Sequence, residues 1–251
     1  MEIIGVSTSA AQPAARVPAH LWLQRAILAG CILLAPLSLA GWFALCPQYG
    51  DPACPNSTQP LAVFVAFRAA NPMLLQLFLF FNVMVPYLYP LSYLGLGLLA
   101  RPRSPWLATL GIVFGWVGSI PWGFIADTMF QVDTAARLGQ DASYALLAKT
   151  YFSSPVILLV AAGWVLGHLL AYMLLGAALL RARAIPAWAA WLIILSAPLM
   201  GPLAYGARLG ILQVLGYLLV FIGSLPAARV LLRHGAAQPA SAAGPGAREV
   251  P

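Results

Sequence analysis

The chain contains several apolar runs that approach or exceed the roughly 18–20 residues a helix needs to cross a bilayer. Such runs have no stable place on the surface of a water-soluble domain. In lipid, a single run satisfies its own backbone hydrogen bonds by coiling into a helix. Composition agrees: 62% of the 251 residues are hydrophobic and 8% are charged, with a mean hydropathy of +0.87. A soluble domain carries about 25% charged residues. The sequence therefore reads as an all-α, polytopic transmembrane helical bundle without a separate soluble domain.

Six membrane-spanning helices are expected, at about 23–45, 73–100, 105–127, 154–180, 186–205 and 208–232. They divide the chain into an N-terminal tail (1–22), a transmembrane domain (23–232) and a C-terminal tail (233–251) rich in Ala, Gly, Pro and Ser, which reads as disordered. An even number of spans puts both termini on one side. With both cytoplasmic, nine basic residues lie inside (Arg16, Arg25, Arg101, Arg103, Arg181, Arg183, Arg229, Arg233 and Arg248) and four outside (Arg68, Arg137, Lys149 and Arg208). This is the positive-inside distribution of a multi-pass inner-membrane protein. It also explains the net charge of +7 without nucleic acid, because the basic residues sit at run ends and form no tract. Arginine outnumbers lysine twelve to one, a bias typical of GC-rich bacterial genomes.

Leu28-Ala29-Gly30-Cys31 has the form of a lipoprotein cleavage box, but Arg25 stands six residues before the cysteine and leaves no apolar stretch ahead of it. Cys31 then reads as a small residue of the first helix. Cys46 and Cys54 bracket the outer stretch CPQYGDPAC, whose Pro, Gly and Asp residues form a turn. A disulfide is expected there on an oxidising face. Asn56-Ser57-Thr58 is a formal sequon with no expected consequence in a bacterial chain. Leu61 to Phe67 is too short to span and suits an interfacial segment, and DTAARLGQDASYALLAK suggests a short surface helix.

Without a hydrophobic drive between helices, small residues set where backbones approach. The third run has Gly111, Gly115, Ser119 and Gly123 at four-residue spacing, and the fourth has Gly163, Gly167 and Ala171. These ridges predict that the third and fourth runs pair, or that Gly111, Gly115, Gly163 and Gly167 serve a homo-oligomer or a membrane-protein partner. Pro86 with Pro90, and Pro198 with Pro202, predict kinks in the second and fifth runs.

Polar groups inside the runs gather at one depth. His168 lies thirteen residues from Arg181, roughly 20 Å above the inner interface; Ser119 and Gln213 come out at about 22 and 24 Å. Asn82 and Asp127 lie nearer the outer face. Intramembrane ionisable groups are costly and default to functional hypotheses. One reading is an outer-half ligand pocket of Asn82, Ser119, Asp127, His168 and Gln213, rimmed by Tyr87 and Tyr205. The other is a single interhelical hydrogen bond from His168, to Ser119 across the small-residue ridges, contributing about 0.6–2 kcal/mol.

Other chemistries find little support. A helical-bundle haem uses two axial imidazoles, and His168 is the one histidine within a run. No metal-ligand cluster, nucleotide fingerprint or midplane carboxylate stands out, so no cofactor or metal is expected. Ser119, in WVGSIPWG, lacks the Gly-x-Ser-Gly context of rhomboid-type proteases.

The element LLRARAIPAW, Leu179 to Trp188, resembles a recurring feature of uncharacterised bacterial six-span integral membrane proteins, and RAILAGCILLAPLSL is similar to their first span. The resemblance covers roughly half of the chain and implies topology, with no activity to carry over. In it Arg181 and Arg183 anchor in headgroups, Pro186 opens the next helix, and Trp188 and Trp191 lie at the interface. Three functions are then open: binding or passing a small apolar or lipid-like ligand, a role as assembly or sensory partner of other membrane proteins, or intramembrane catalysis by Ser119 and His168. The first two are favoured over an enzyme.

Overall fold

The computed structural model describes residues 18–45, 70–139, 150, 153–204 and 210–233. Its helices, in chain order, are α1 (Ala19–Leu45), α2 (Pro72–Ala100), α3 (Pro105–Ser119), α4 (Trp122–Leu138), α5 (Pro155–Ala182), α6 (Ala187–Pro198) and α7 (Gly210–Arg233). A π-helical turn, Leu199–Leu203, continues α6. The protein is a multi-pass membrane protein with an all-α bundle.

Four helices, α1, α2, α5 and α7, are long and apolar enough to cross a membrane. With 24 to 29 residues each, they extend roughly 36–44 Å at 1.5 Å per residue, beyond the ~30 Å hydrocarbon core. The expectation of six spans is thus corrected to four. The third expected run breaks after Ser119: Ile120 and Pro121 form a turn, and Pro121 caps the new helix α4. The 15 residues of α3 reach only about 22 Å. The fifth expected run is one apolar helix, Ala187–Leu203, shorter than the four long ones, and it changes from α to π at its prolines. Pro198 and Pro202 cannot donate backbone N–H, and the chain widens into a π turn in which the Ala204 N–H reaches the Leu199 carbonyl. Averaging hydropathy over a run hides both interruptions. Helix α4 also carries the chain without a break through Asp127, where a span end was expected, and into residues 133–138, where a separate short surface helix was expected to start.

The predicted pairing of the third and fourth apolar runs appears as α3 against α5, the most extensive helix contact described. The two are antiparallel. Arg103, before α3, donates to the carbonyl of Ala182 at the end of α5 (3.1 Å), while Gly118 at the far end of α3 packs on mid-α5. There backbone meets backbone: a Cβ on Gly167 would lie 2.8 Å from the Gly118 nitrogen and the Phe114 carbonyl oxygen. Gly111 packs on Leu175, and Gly115 faces the Tyr93 ring of α2. Gly111, Gly115 and Gly167 therefore serve this chain's own packing, and of the four proposed interface glycines only Gly163 has open space around it.

Helix α1 packs on α2 and α7. Gly95 near the end of α2 lies against Leu28 and Ile32 near the start of α1, and Phe43 near the end of α1 stacks on Tyr217 near the start of α7. Helix α6 runs antiparallel to α7, with Ala189 against Gly223 and Met200 against Gly216. These contacts bring Arg25, Arg101, Arg103, Arg181, Arg183, Arg229 and Arg233 to one end of the bundle. Large apolar side chains such as Leu159, Leu166 and Ile211 face outward, as a lipid-facing surface requires.

Candidate functional site

Helical periodicity builds a polar, aromatic centre in this apolar bundle. Trp164, His168 and Tyr172 stand four residues apart on one face of α5. Asn82, Tyr89 and Tyr93 share the buried face of α2, and Gln213 and Tyr217 that of α7. All eight are buried, Tyr89, Tyr93 and Tyr172 completely. The His168 ring lies 4.9 Å from Tyr89, 5.0 Å from Tyr172 and 5.7 Å from Tyr217, centroid to centroid, and stacks on Trp164 at 5.8 Å.

One short hydrogen bond ties the centre together. The Tyr93 hydroxyl and His168 Nδ1 are 2.5 Å apart. With the phenol donating, the ring proton sits on Nε2. The expected bond from His168 to Ser119 is replaced by this one, because Ser119 turns its hydroxyl back to the Trp116 carbonyl at 3.3 Å. Ser119 and His168 thus engage different partners. Their proximity comes from backbone contact, Gly118 against His168.

A proline explains the neighbouring tryptophan. Pro86 has no N–H to give the carbonyl four residues earlier, that of Asn82. The Trp122 indole, at the first residue of α4, donates to that oxygen at 3.1 Å. The break between α3 and α4 is what turns Trp122 inward. A ring chain follows: Trp42 to Trp122 at 5.2 Å, Trp122 to Trp164 at 4.6 Å, then Trp164 to His168.

Among the described residues, seven buried polar atoms along this ring chain make no well-formed hydrogen bond: Trp42 Nε1, Asn82 Oδ1 and Nδ2, Tyr89 Oη, Trp164 Nε1, His168 Nε2 and Tyr172 Oη. The hydroxyls of Tyr89, Tyr93 and Tyr172 face one another, yet those of Tyr89 and Tyr172 close no well-formed bond. An unmade bond costs about 1–3 kcal/mol per group, and lipid supplies no substitute. Folded proteins hold only a few such groups per hundred residues. Their concentration around His168 marks this region off from the rest of the bundle.

The structure brings Asn82, Ser119, His168 and Gln213 into the buried interior. Asp127 is exposed on α4 and accepts from Gln131 at 2.7 Å. Tyr87, expected at a rim, is 67% exposed on the outward side of α2. Tyr205 and the Cys46–Cys54 pair lie outside the described residues. Sequence reasoning missed Tyr89, Tyr93, Trp164, Tyr172 and Tyr217. Their signal was the i, i+4 spacing of Trp164, His168 and Tyr172 and of Tyr89 and Tyr93. Among the described residues no group of three or more His, Cys, Asp or Glu converges as metal ligands would.

Compared with known proteins, the chain matches no family profile, no curated protein and no solved structure. The resemblance to six-span bacterial membrane proteins is corrected on two counts: no family match supports it, and the helices long enough to span number four.

Proposed function

We propose that this protein binds a small membrane-soluble ligand that carries hydrogen-bonding groups, at the centre formed by Asn82, Tyr89, Trp164, His168 and Tyr172. The observation that carries the reading is the set of unpaired polar atoms on α2 and α5. A lipid-like molecule with a polar head satisfies them and leaves its apolar part among Val85, Trp122 and the neighbouring rings. The different partners of Ser119 and His168 favour binding over catalysis. Toward the arginine-bearing end the same faces continue as Leu96 and Ala100 on α2, and as Leu175, Ala178, Leu179 and Ala182 on α5. That apolar continuation favours binding over passage.

The setting proposed is a bacterial inner membrane with both termini cytoplasmic. The gathering of seven arginines at one end of the bundle supports it under the positive-inside rule.

Mass spectrometry of small molecules extracted from protein purified in mild detergent tests the binding reading. A molecule with a polar head should accompany the wild type and fall at least tenfold in Tyr89→Phe/Tyr172→Phe. Equal recovery from both proteins, or none from the wild type, contradicts the reading.

A further inference from the structure

Two turns at the arginine-bearing end are built alike. Between α2 and α3 the chain reads ARPRSPW, residues 100–106; between α5 and α6 it reads RARAIPAW, residues 181–188. Each turn contains Arg-x-Arg at a helix end, restarts the chain at a proline and places a tryptophan as the second residue of the next helix.

The fold brings the two turns together. Arg103 Nη1 donates to the Ala182 carbonyl at 3.1 Å, and Ala182 stands between Arg181 and Arg183. Backbone bonds fix both turns: Ser104 N–H to the Ala100 carbonyl at 2.9 Å, and Ala184 N–H to the Leu179 carbonyl at 3.1 Å. Arg183 takes the left-handed conformation, φ 51°, strained for a residue with a Cβ. Arg183 closes the helix that carries Arg181, so the two guanidinium groups leave one short turn. Arg101, Arg181 and Arg183 are exposed. Among the described residues no carboxylate pairs with them, since Asp127 engages Gln131 and Asp133 engages Arg137. Trp106 and Trp188 flank the turns, 80% and 55% exposed. Four guanidinium groups on two joined turns, with no carboxylate paired to them among the described residues and bracketed by outward-facing indoles, form a concentrated positive site.

We propose that these paired turns bind the phosphodiester group of an anionic phospholipid. Arg101, Arg181 and Arg183 donate to phosphate oxygens, and guanidinium forks suit that geometry. Trp106 and Trp188 pack against the glycerol and upper acyl region, where interfacial tryptophans settle. Arg103 is the positioning residue: its bond to Ala182 sets the spacing of the two turns. The indoles favour a lipid over a free anion. The site is separate from the His168 centre and does not depend on it.

The test is lipid binding to the full chain by native mass spectrometry, with thermal stability in parallel. The probes are phosphatidylglycerol, phosphatidylcholine and inorganic phosphate. Phosphatidylglycerol should bind at least tenfold more tightly than phosphatidylcholine, and phosphate alone should not raise the melting temperature. Arg101→Ala/Arg181→Ala should abolish the preference, while Arg229→Ala/Arg233→Ala, at the same end of the bundle, should keep it. Arg103→Ala should weaken the preference although three guanidinium groups remain. Equal loss in both double variants would mean a diffuse basic collar and overturn the site. A stabilising effect of phosphate equal to that of the lipid would overturn the choice of ligand.

Discussion

Helix α5 meets its neighbours with two unlike faces. Toward α3 it offers Gly167, and the two backbones touch without side chains between them. Toward α2 and Tyr217 of α7 it offers His168 and Tyr172, whose rings stand about 5 to 6 Å from those of Tyr89, Tyr93 and Tyr217, and toward Trp122 of α4 it offers Trp164 at 4.6 Å; among the described residues, polar atoms here are left without partners. The first face is solved by shape. Dispersion and close approach hold it, and nothing polar is stranded. The second carries groups that packing alone does not call for. Leucine or phenylalanine in their place would fill a similar volume without unmade hydrogen bonds. One helix thus carries a face fitted by shape alone and a face that holds more polar groups than packing requires.

Substitutions that respect or violate these two kinds of contact should separate them. The largest effect is expected at the small-residue face. In Gly118→Val a Cβ would lie 2.5 Å from the His168 nitrogen and 2.8 Å from the Gly167 carbonyl carbon, both backbone atoms that cannot swing aside. A loss of about 3 kcal/mol or more is expected from such overpacking, read by reversible unfolding in mixed micelles. Next comes Trp122→Phe, which keeps a ring but strands the Asn82 carbonyl that Pro86 has released. It should cost about 1–3 kcal/mol in the same assay. Tyr93→Phe removes the partner of His168 Nδ1 and should cost about 0.6–2 kcal/mol, the range of interhelical hydrogen bonds in membranes. The smallest effect belongs to Gly163→Ala. It lies on the same helix but has open space around it, and the change should stay within about 0.5 kcal/mol. A Gly163 variant as damaging as Gly118→Val would erase the distinction between shape-determined and open positions.

How much of this was legible in the sequence follows from the range of each signal. The lipid setting came from sustained apolar runs, and the pairing of α3 with α5 from glycine spacing. Both are periodic or cumulative and survive local error. Burial of His168, Ser119, Asn82 and Gln213 was legible because polar residues in long apolar runs have few places to go. The number of spans was misjudged because a turn at Ile120 and Pro121 and a π turn at Leu199–Leu203 interrupt runs whose average hydropathy stays high. The partner of His168 was misassigned for a related reason. Ser119 sits at the end of a helix and satisfies its hydroxyl locally, while Tyr93, seventy-five residues from His168 in sequence, arrives from a different helix. Tyrosines in apolar runs read as interfacial anchors. Only the packing of α2 on α5 turns Tyr89, Tyr93 and Tyr172 into core residues.

On the binding reading proposed above, the polar atoms around His168 are retained for a ligand and not for folding. Thermal denaturation of Tyr89→Phe/Tyr172→Phe against the wild type, both stripped of co-purified lipid, tests it most directly. The variant removes two hydroxyls that face each other without closing a well-formed bond and keeps both rings. A melting temperature equal to or above that of the stripped wild type is expected, since isosteric removal of unmet polar groups is neutral or stabilising. A melting temperature several degrees lower would contradict it, and would assign those hydroxyls to the fold itself.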